Sequence, residues 1–174
     1  MQQTHNTLPE LIRDQSIQLL NKHLAAAIDL HGQVKQAHWN VRGPGFIAIH
    51  ELFDKVAEDV ERLSDKLAER TGALGGTAQG TVQTAAKLSF LIPYPHGIAD
   101  EKLHAFAVAA SLAAFGQSAH EAIALAATAG DPATADLFTE ILREIDQQLW
   151  FVQSHLAPQS DRAAMTPKPI AKLR

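Results

Sequence analysis

Four stretches of helical periodicity, separated by a short, a long and a short connection, constrain this chain more than any other feature of it. The first opens at Thr7 and Glu10, spaced as a capping box with Pro9 inside the first turn. It carries Ile17, Leu20, Leu24, Ala27, His31, Val34 and His38 at steps of three and four, one continuous helix face, and stops at Arg42-Gly43-Pro44-Gly45. The second covers about 46–71 and ends at Gly72, Gly75 and Gly76. A connection of about 26 residues follows, with a short helix predicted near 84–90 and then Pro93, Pro95 and Gly97. The third stretch, about 99–129, is rich in alanine and ends at Gly130. The fourth has Asp131 as N-cap and Pro132 at the first helical position, and runs to about Ala157 before Pro158. Sustained alternation of period two appears nowhere, so the chain reads as all-α. Short connections make antiparallel pairs and the long one can cross the length of a bundle, which predicts four helices arranged up-down, crossover, up-down.

The 174 residues suit a single domain, with a helical body over about 7–158 and a C-terminal tail over about 159–174. Cysteine is absent, which excludes disulfides, thiolate zinc sites, iron–sulfur clusters and cysteine nucleophiles; any metal must sit on nitrogen and oxygen. Fifteen Lys and Arg against nineteen Asp and Glu argue against a body coated in positive charge for nucleic acid. Residues 1–6 are polar and lack the basic and apolar regions of a secretory signal, so a cytoplasmic protein is expected. The most apolar stretch, 105–115, is far shorter than the roughly 20 residues of a membrane span. Nine histidines are the unusual entry in the composition.

The second helix concentrates candidate ligands. With His50 at zero on a wheel of roughly 100° per residue, Asp54 falls near 40°, Asp65 near 60° and Glu69 near 100°. Ile49, Leu52, Val56, Val60, Leu63 and Leu67 fall at roughly 200–280°, so the ligand face turns away from the core. His50 with Asp54, and Asp65 with Glu69, are i, i+4 pairs, the spacing at which two side chains reach one ion. The pairs lie fifteen residues apart, about 22 Å along the axis, too far for a common metal on one helix. An antiparallel crossing with a symmetry mate near Asp59 and Val60 would bring the His50 pair of one chain to the Asp65 pair of the other, in two equivalent sites. Imidazole with carboxylate suits iron(II), manganese or zinc, and open positions allow redox chemistry at iron. The competing reading is a solvated acidic helix face, which Glu58 and Glu61 extend.

The segment Lys35-Gln36-Ala37-His38-Trp39-Asn40-Val41-Arg42-Gly43, followed by Phe46-Ile47-Ala48-Ile49-His50-Glu51-Leu52-Phe53-Asp54, resembles the signature of the Dps family, ferritin-like DNA-protecting proteins of starved cells. The spacing from His38 to His50, Asp54, Asp65 and Glu69 is similar to that of the family's ferroxidase ligands, and the likeness extends to Asp146, Trp150 and Phe151. The resemblance implies a ferritin-like four-helix bundle with a long crossover containing a short helix, assembled as a hollow homododecamer. It implies a ferroxidase that oxidises iron(II), preferably with hydrogen peroxide, and stores the ferric mineral inside. Each centre would hold two irons, with His38, His50 and Asp54 from one subunit and Asp65 and Glu69 from its two-fold partner. Trp39 and Trp150 would lie near that centre as sinks for stray oxidising equivalents or as apolar packing.

The resemblance also suggests an acidic three-fold pore for iron(II) at Asp131, Asp136 and Glu140, for which helix capping and solvation are the plain alternatives. DNA association without sequence specificity would fall to Arg162, Lys168, Lys172 and Arg174, since residues 1–7 contain no Lys or Arg. Against Asp161 these give the tail +3 and leave −7 on the rest of the chain. The alternative function is a nucleoid-binding structural protein that shields DNA physically, with iron chemistry secondary. The other histidines, His5, His23, His31, His96, His104, His120 and His155, match no ligand pattern and are assigned surface or core roles.

Overall fold

The computed structural model describes residues 2–156. Its elements are α1 (Glu10–Asn40), α2 (Phe46–Ala73), the short α3 (Val82–Leu88), α4 (Glu101–Ala129) and α5 (Pro132–Ser154), with no named strand among the described residues. The four long helices form two antiparallel hairpins, α1 with α2 and α4 with α5, around one core. This is the all-α ferritin-like bundle with its crossover, and α3 is the short helix inside that crossover.

Local chemistry sets the boundaries. Gly130 ends α4 with φ of 90°, the left-handed conformation that glycine adopts without strain. Asp131 then caps α5, its carboxylate accepting the Thr134 N–H at 3.0 Å, and Pro132 follows in the first turn. Asp100 caps α4 by accepting from the amides of Lys102 and Leu103. The capping box expected at Thr7 and Glu10 does not form. Glu10 is the first helical residue, Pro9 precedes it with no side-chain cap, and the upstream turn is held by Asn6, whose side chain accepts from the Leu8 amide at 3.0 Å. The last helix ends at Ser154, short of Ala157.

The core stacks Leu20, Leu24, Leu30 and Val34 of α1 and Phe53, Val56, Val60, Leu63 and Leu67 of α2 against Leu112 and Phe115 of α4 and Phe138, Ile141 and Ile145 of α5. Each such side chain, fully buried, contributes about 1.5–3 kcal/mol. Small residues let α4 approach closely: a Cβ at Gly116 would stand 3.3 Å from Ile145. The crossover is strapped along α1 by polar side chains. Asn21 donates to the Thr77 carbonyl and accepts from the Gln79 amide, Asp29 accepts from the Ser89 hydroxyl, and Gln33 donates to the Ile92 carbonyl. Among the described residues no helix is long and apolar enough to cross a membrane.

Candidate metal centre

The turn between α1 and α2 builds one end of the site. Gly43 has φ of 151°, and a Cβ there would collide with the Glu101 side chain. Glu101 instead accepts the Gly45 amide at 2.7 Å, clamping the turn to the first turn of α4. Arg42 donates its amide to the Ala99 carbonyl at 2.8 Å, so the helical partner of the His38 carbonyl is turned elsewhere.

The imidazole of His50 fills that vacancy, its Nδ1 lying 2.9 Å from the His38 carbonyl oxygen. His38 reciprocates with Nδ1 2.9 Å from the His50 carbonyl. The rings stack with centroids 3.7 Å apart and planes 20° from parallel. A carbonyl only accepts, so Nδ1 carries the proton in both rings. In the neutral form each therefore presents the lone pair of Nε2, the nitrogen left free to bind a metal, with its orientation fixed by backbone.

Asp54 lies one turn beyond His50 and is engaged by Lys35, whose Nζ donates at 2.6 Å. That bond holds the Asp54 carboxyl below its ordinary range, with burial opposing and the Lys35 charge assisting. Asp65 and Glu69 are exposed on the same face further along α2 and make no ion pair or hydrogen bond among the described residues. The predicted ligands thus fall into two separate sets on one chain, and no group of three His, Asp or Glu among the described residues is arranged to hold a metal ion. Lys35 escaped the sequence reading, although its place one turn before His38 puts both on one face of α1.

Asp59 and Val60 are 4% and 1% exposed and face into the subunit, where Asp59 pairs with Lys55 and Arg62 and accepts from Gln148. They mark the level midway between the ligand pairs, but the outward residues at that level are Glu58 and Glu61. Trp39 and Trp150, 66% and 63% exposed, fill no core among the described residues.

The expected pore residues separate as well. Asp131 is 0% exposed, bonded by the Ser16 hydroxyl at 2.8 Å, the Arg70 guanidinium at 2.8 Å and the Thr134 hydroxyl at 2.6 Å. Burial pushes its carboxyl up, but Thr134, Ser16 and Arg70 together hold it below the usual range. Asp131 is a cap tying α1, α2 and α5 together, with no open face for a passing cation. Asp136 is exposed, while Glu140 shares Lys66 with Glu144 at 2.8 and 2.9 Å. Arg162, Lys168, Lys172 and Arg174 lie outside the described residues.

Comparison with known proteins agrees with the fold. A ferritin-like domain family matches residues 17–159. The DNA protection during starvation protein of Agrobacterium fabrum is 40% identical over 157 residues, 90% of this chain and 97% of the relative. Among solved structures, DpsC from Streptomyces coelicolor superposes with a TM-score of 0.86 at 33% identity, covering 96% of this chain and 94% of that one. Dps from Microbacterium arborescens in the high iron form superposes with a TM-score of 0.81 at 34% identity, covering 89% and 99%. A ferritin-like bundle, a ferritin-like domain match over most of the chain and relatives matched along nearly their whole length lead to one assignment: the chain belongs to the Dps family of ferritin-like proteins.

Proposed function

We propose that this chain is the subunit of a hollow homododecamer that oxidises iron(II), preferentially with hydrogen peroxide, and stores the ferric product, thereby protecting DNA. The observation that carries this reading is the division of the ligand set. His38 and His50 present Nε2 lone pairs at one level of α2, and the unpaired carboxylates of Asp65 and Glu69 stand fifteen residues away on the same face. Only a second chain, packed antiparallel, unites them. Exposed Trp39, Phe46 and Ile47 beside the histidines supply apolar area for such a contact.

The chemistry asks the protein to hold two substrate irons close together and leave room for oxidant. Two iron(II) ions give one electron each to hydrogen peroxide and leave two iron(III) and two hydroxide ions, so no hydroxyl radical is released. His38 and His50 offer neutral nitrogen; Asp54, Asp65 and Glu69 offer charge that balances the ferric product. Lys35 keeps Asp54 ionised and oriented until iron(II) competes for it. Removing iron(II) and peroxide together protects DNA without contact, and the basic tail of 159–174 adds a non-specific hold on the duplex.

An anaerobic iron(II) titration followed by peroxide tests the reading. Saturable binding, rapid ferric absorbance at one peroxide per two irons, and mineral that co-elutes with the protein are expected. Oxidation no faster than in buffer, or ferric product that precipitates free of protein, would overturn it.

A further inference from the structure

The chain has one tyrosine, and it is buried against a histidine. Tyr94, in the crossover, is 9% exposed; its hydroxyl oxygen lies 2.7 Å from Nδ1 of His104, itself 1% exposed in the first turn of α4. The other imidazole nitrogen, Nε2, lies 3.1 Å from the Ile98 carbonyl, and the Asn40 backbone also engages the ring. Carbonyls only accept, so Nε2 carries a proton, Nδ1 keeps its lone pair, and Tyr94 is the donor. Asn40 is two residues on from His38, which places the pair beneath the ligand-bearing end of α1.

We propose that Tyr94 and His104 form a redox-active pair, in which Tyr94 gives one electron to a one-electron oxidant formed near His38 while its phenolic proton moves to Nδ1 of His104. The proposal rests on the iron-oxidising reading above, which supplies the oxidant. When peroxide meets a single iron(II), one electron breaks the O–O bond and leaves iron(III), hydroxide and a hydroxyl radical. Tyr94 reduces that radical to hydroxide and becomes a neutral phenoxyl radical, with the proton held on His104 as imidazolium. A second iron(II) returns the electron, the proton goes back to the phenol oxygen, and the sum is again two iron(III) and two hydroxide per peroxide. A centre holding one iron can then complete a two-electron reduction without releasing the radical.

The surroundings suit the transfer. Burial pushes the Tyr94 hydroxyl up and His104 down, so both rest neutral, while the Ile98 carbonyl, the Asn40 backbone and the Asp100 carboxylate favour the imidazolium once it forms. The proton moves within an existing hydrogen bond, and the phenoxyl is screened from solvent. A pair that served packing alone would need the hydrogen bond but no base.

The test uses the intact oligomer in two arms. In the first, protein loaded anaerobically with less iron(II) than its sites hold is mixed with peroxide and freeze-quenched for electron paramagnetic resonance. A tyrosyl signal that changes with ring-deuterated tyrosine is expected, absent in Tyr94→Phe and reduced about tenfold in His104→Gln, which keeps an acceptor oxygen but cannot hold a second proton. In the second, iron-free protein is oxidised by photogenerated ruthenium(III) tris-bipyridine. The phenoxyl band should form with a deuterium solvent isotope effect and about tenfold more slowly in His104→Gln. If that variant fails to fold, the isotope effect in the unaltered protein carries the same test. No phenoxyl in the iron-free arm, an unchanged signal in Tyr94→Phe, or an unchanged rate in His104→Gln would each overturn the pair. Phenoxyl in the iron-free arm from a protein that oxidises no iron would instead overturn the proposed function and this source of oxidant, and support the pair's own chemistry.

Discussion

Asp131 and Asp65 carry the same carboxylate to opposite uses. Asp131, wholly enclosed, satisfies Ser16, Arg70 and Thr134, so Asp131→Ala removes a cap and leaves a guanidinium without its partner. A loss of about 2–3 kcal/mol in urea unfolding is expected, against about 0.5 kcal/mol or less for Asp136→Ala. Similar small losses from both would show that the cap contributes little. Asp65 and Glu69 satisfy nothing among the described residues. Replacing both by Ala should abolish rapid peroxide-driven oxidation with the helical circular dichroism unchanged; full activity in that double variant would remove them from the centre. His23 is the residue whose ionisation the fold resists. It is 1% exposed among Phe90, Phe115 and Phe138, with Ser118 and the Leu19 carbonyl as its polar contacts. Burial holds its pKa below the ordinary value of 6.5, with Lys22 assisting and Glu121 opposing. The unfolded chain then takes up a proton that the folded chain refuses, so this contribution is full above pH 6.5 and is lost as pH falls through the folded value. Melting temperature should decline on acidification from pH 6.5 toward the lower folded value, and the decline should be shallower in His23→Gln; identical slopes would assign it to other groups.

The helices themselves were legible because their limits are local. Gly130, Asp131 and Pro132 act within a few residues of one another, and the face of α2 follows from spacing alone. Thr7 misled because Asn6 competes for the same turn, and a choice between neighbouring caps depends on chain direction more than on residue type. Long-range pairings were not legible: Lys35 reaches Asp54, Arg70 reaches Asp131 and Tyr94 reaches His104 only after the helices pack, and no periodicity encodes them. The α1–α2 turn combines both kinds of constraint. Gly43→Ala would place a Cβ in a strained backbone conformation and against Glu101, with an expected loss of about 1 kcal/mol or more. The two histidines would lose their register, so iron(II) affinity should fall further than stability does. Unchanged affinity in a destabilised variant would separate the turn from the site.

Across the whole molecule, the prediction concerns shared ownership of the centre. Light scattering should give twelve times the subunit mass, and mixed shells of His38→Ala/His50→Ala subunits with Asp65→Ala/Glu69→Ala subunits should regain activity wherever intact halves meet. Verified mixed shells without any recovery would assign all five residues to one chain. Truncation after Ser160 should leave oxidation intact and abolish a salt-sensitive gel shift of DNA; an unchanged shift would place DNA contacts on the body. In the proposed centre His50 and Asp54 of one half and Asp65 and Glu69 of the other ride on one continuous helix, so α2 would act as a ruler. One inserted residue between Asp54 and Asp65 turns everything beyond it by about 100° and advances it about 1.5 Å, while His38 and His50 stay where the turn clamps them. Under the proposed two-fold symmetry the error would enter both centres of a dimer at once, so an insertion in a loop or tail should be tolerated and one in the eleven-residue interval from Asp54 to Asp65 should abolish rapid iron oxidation.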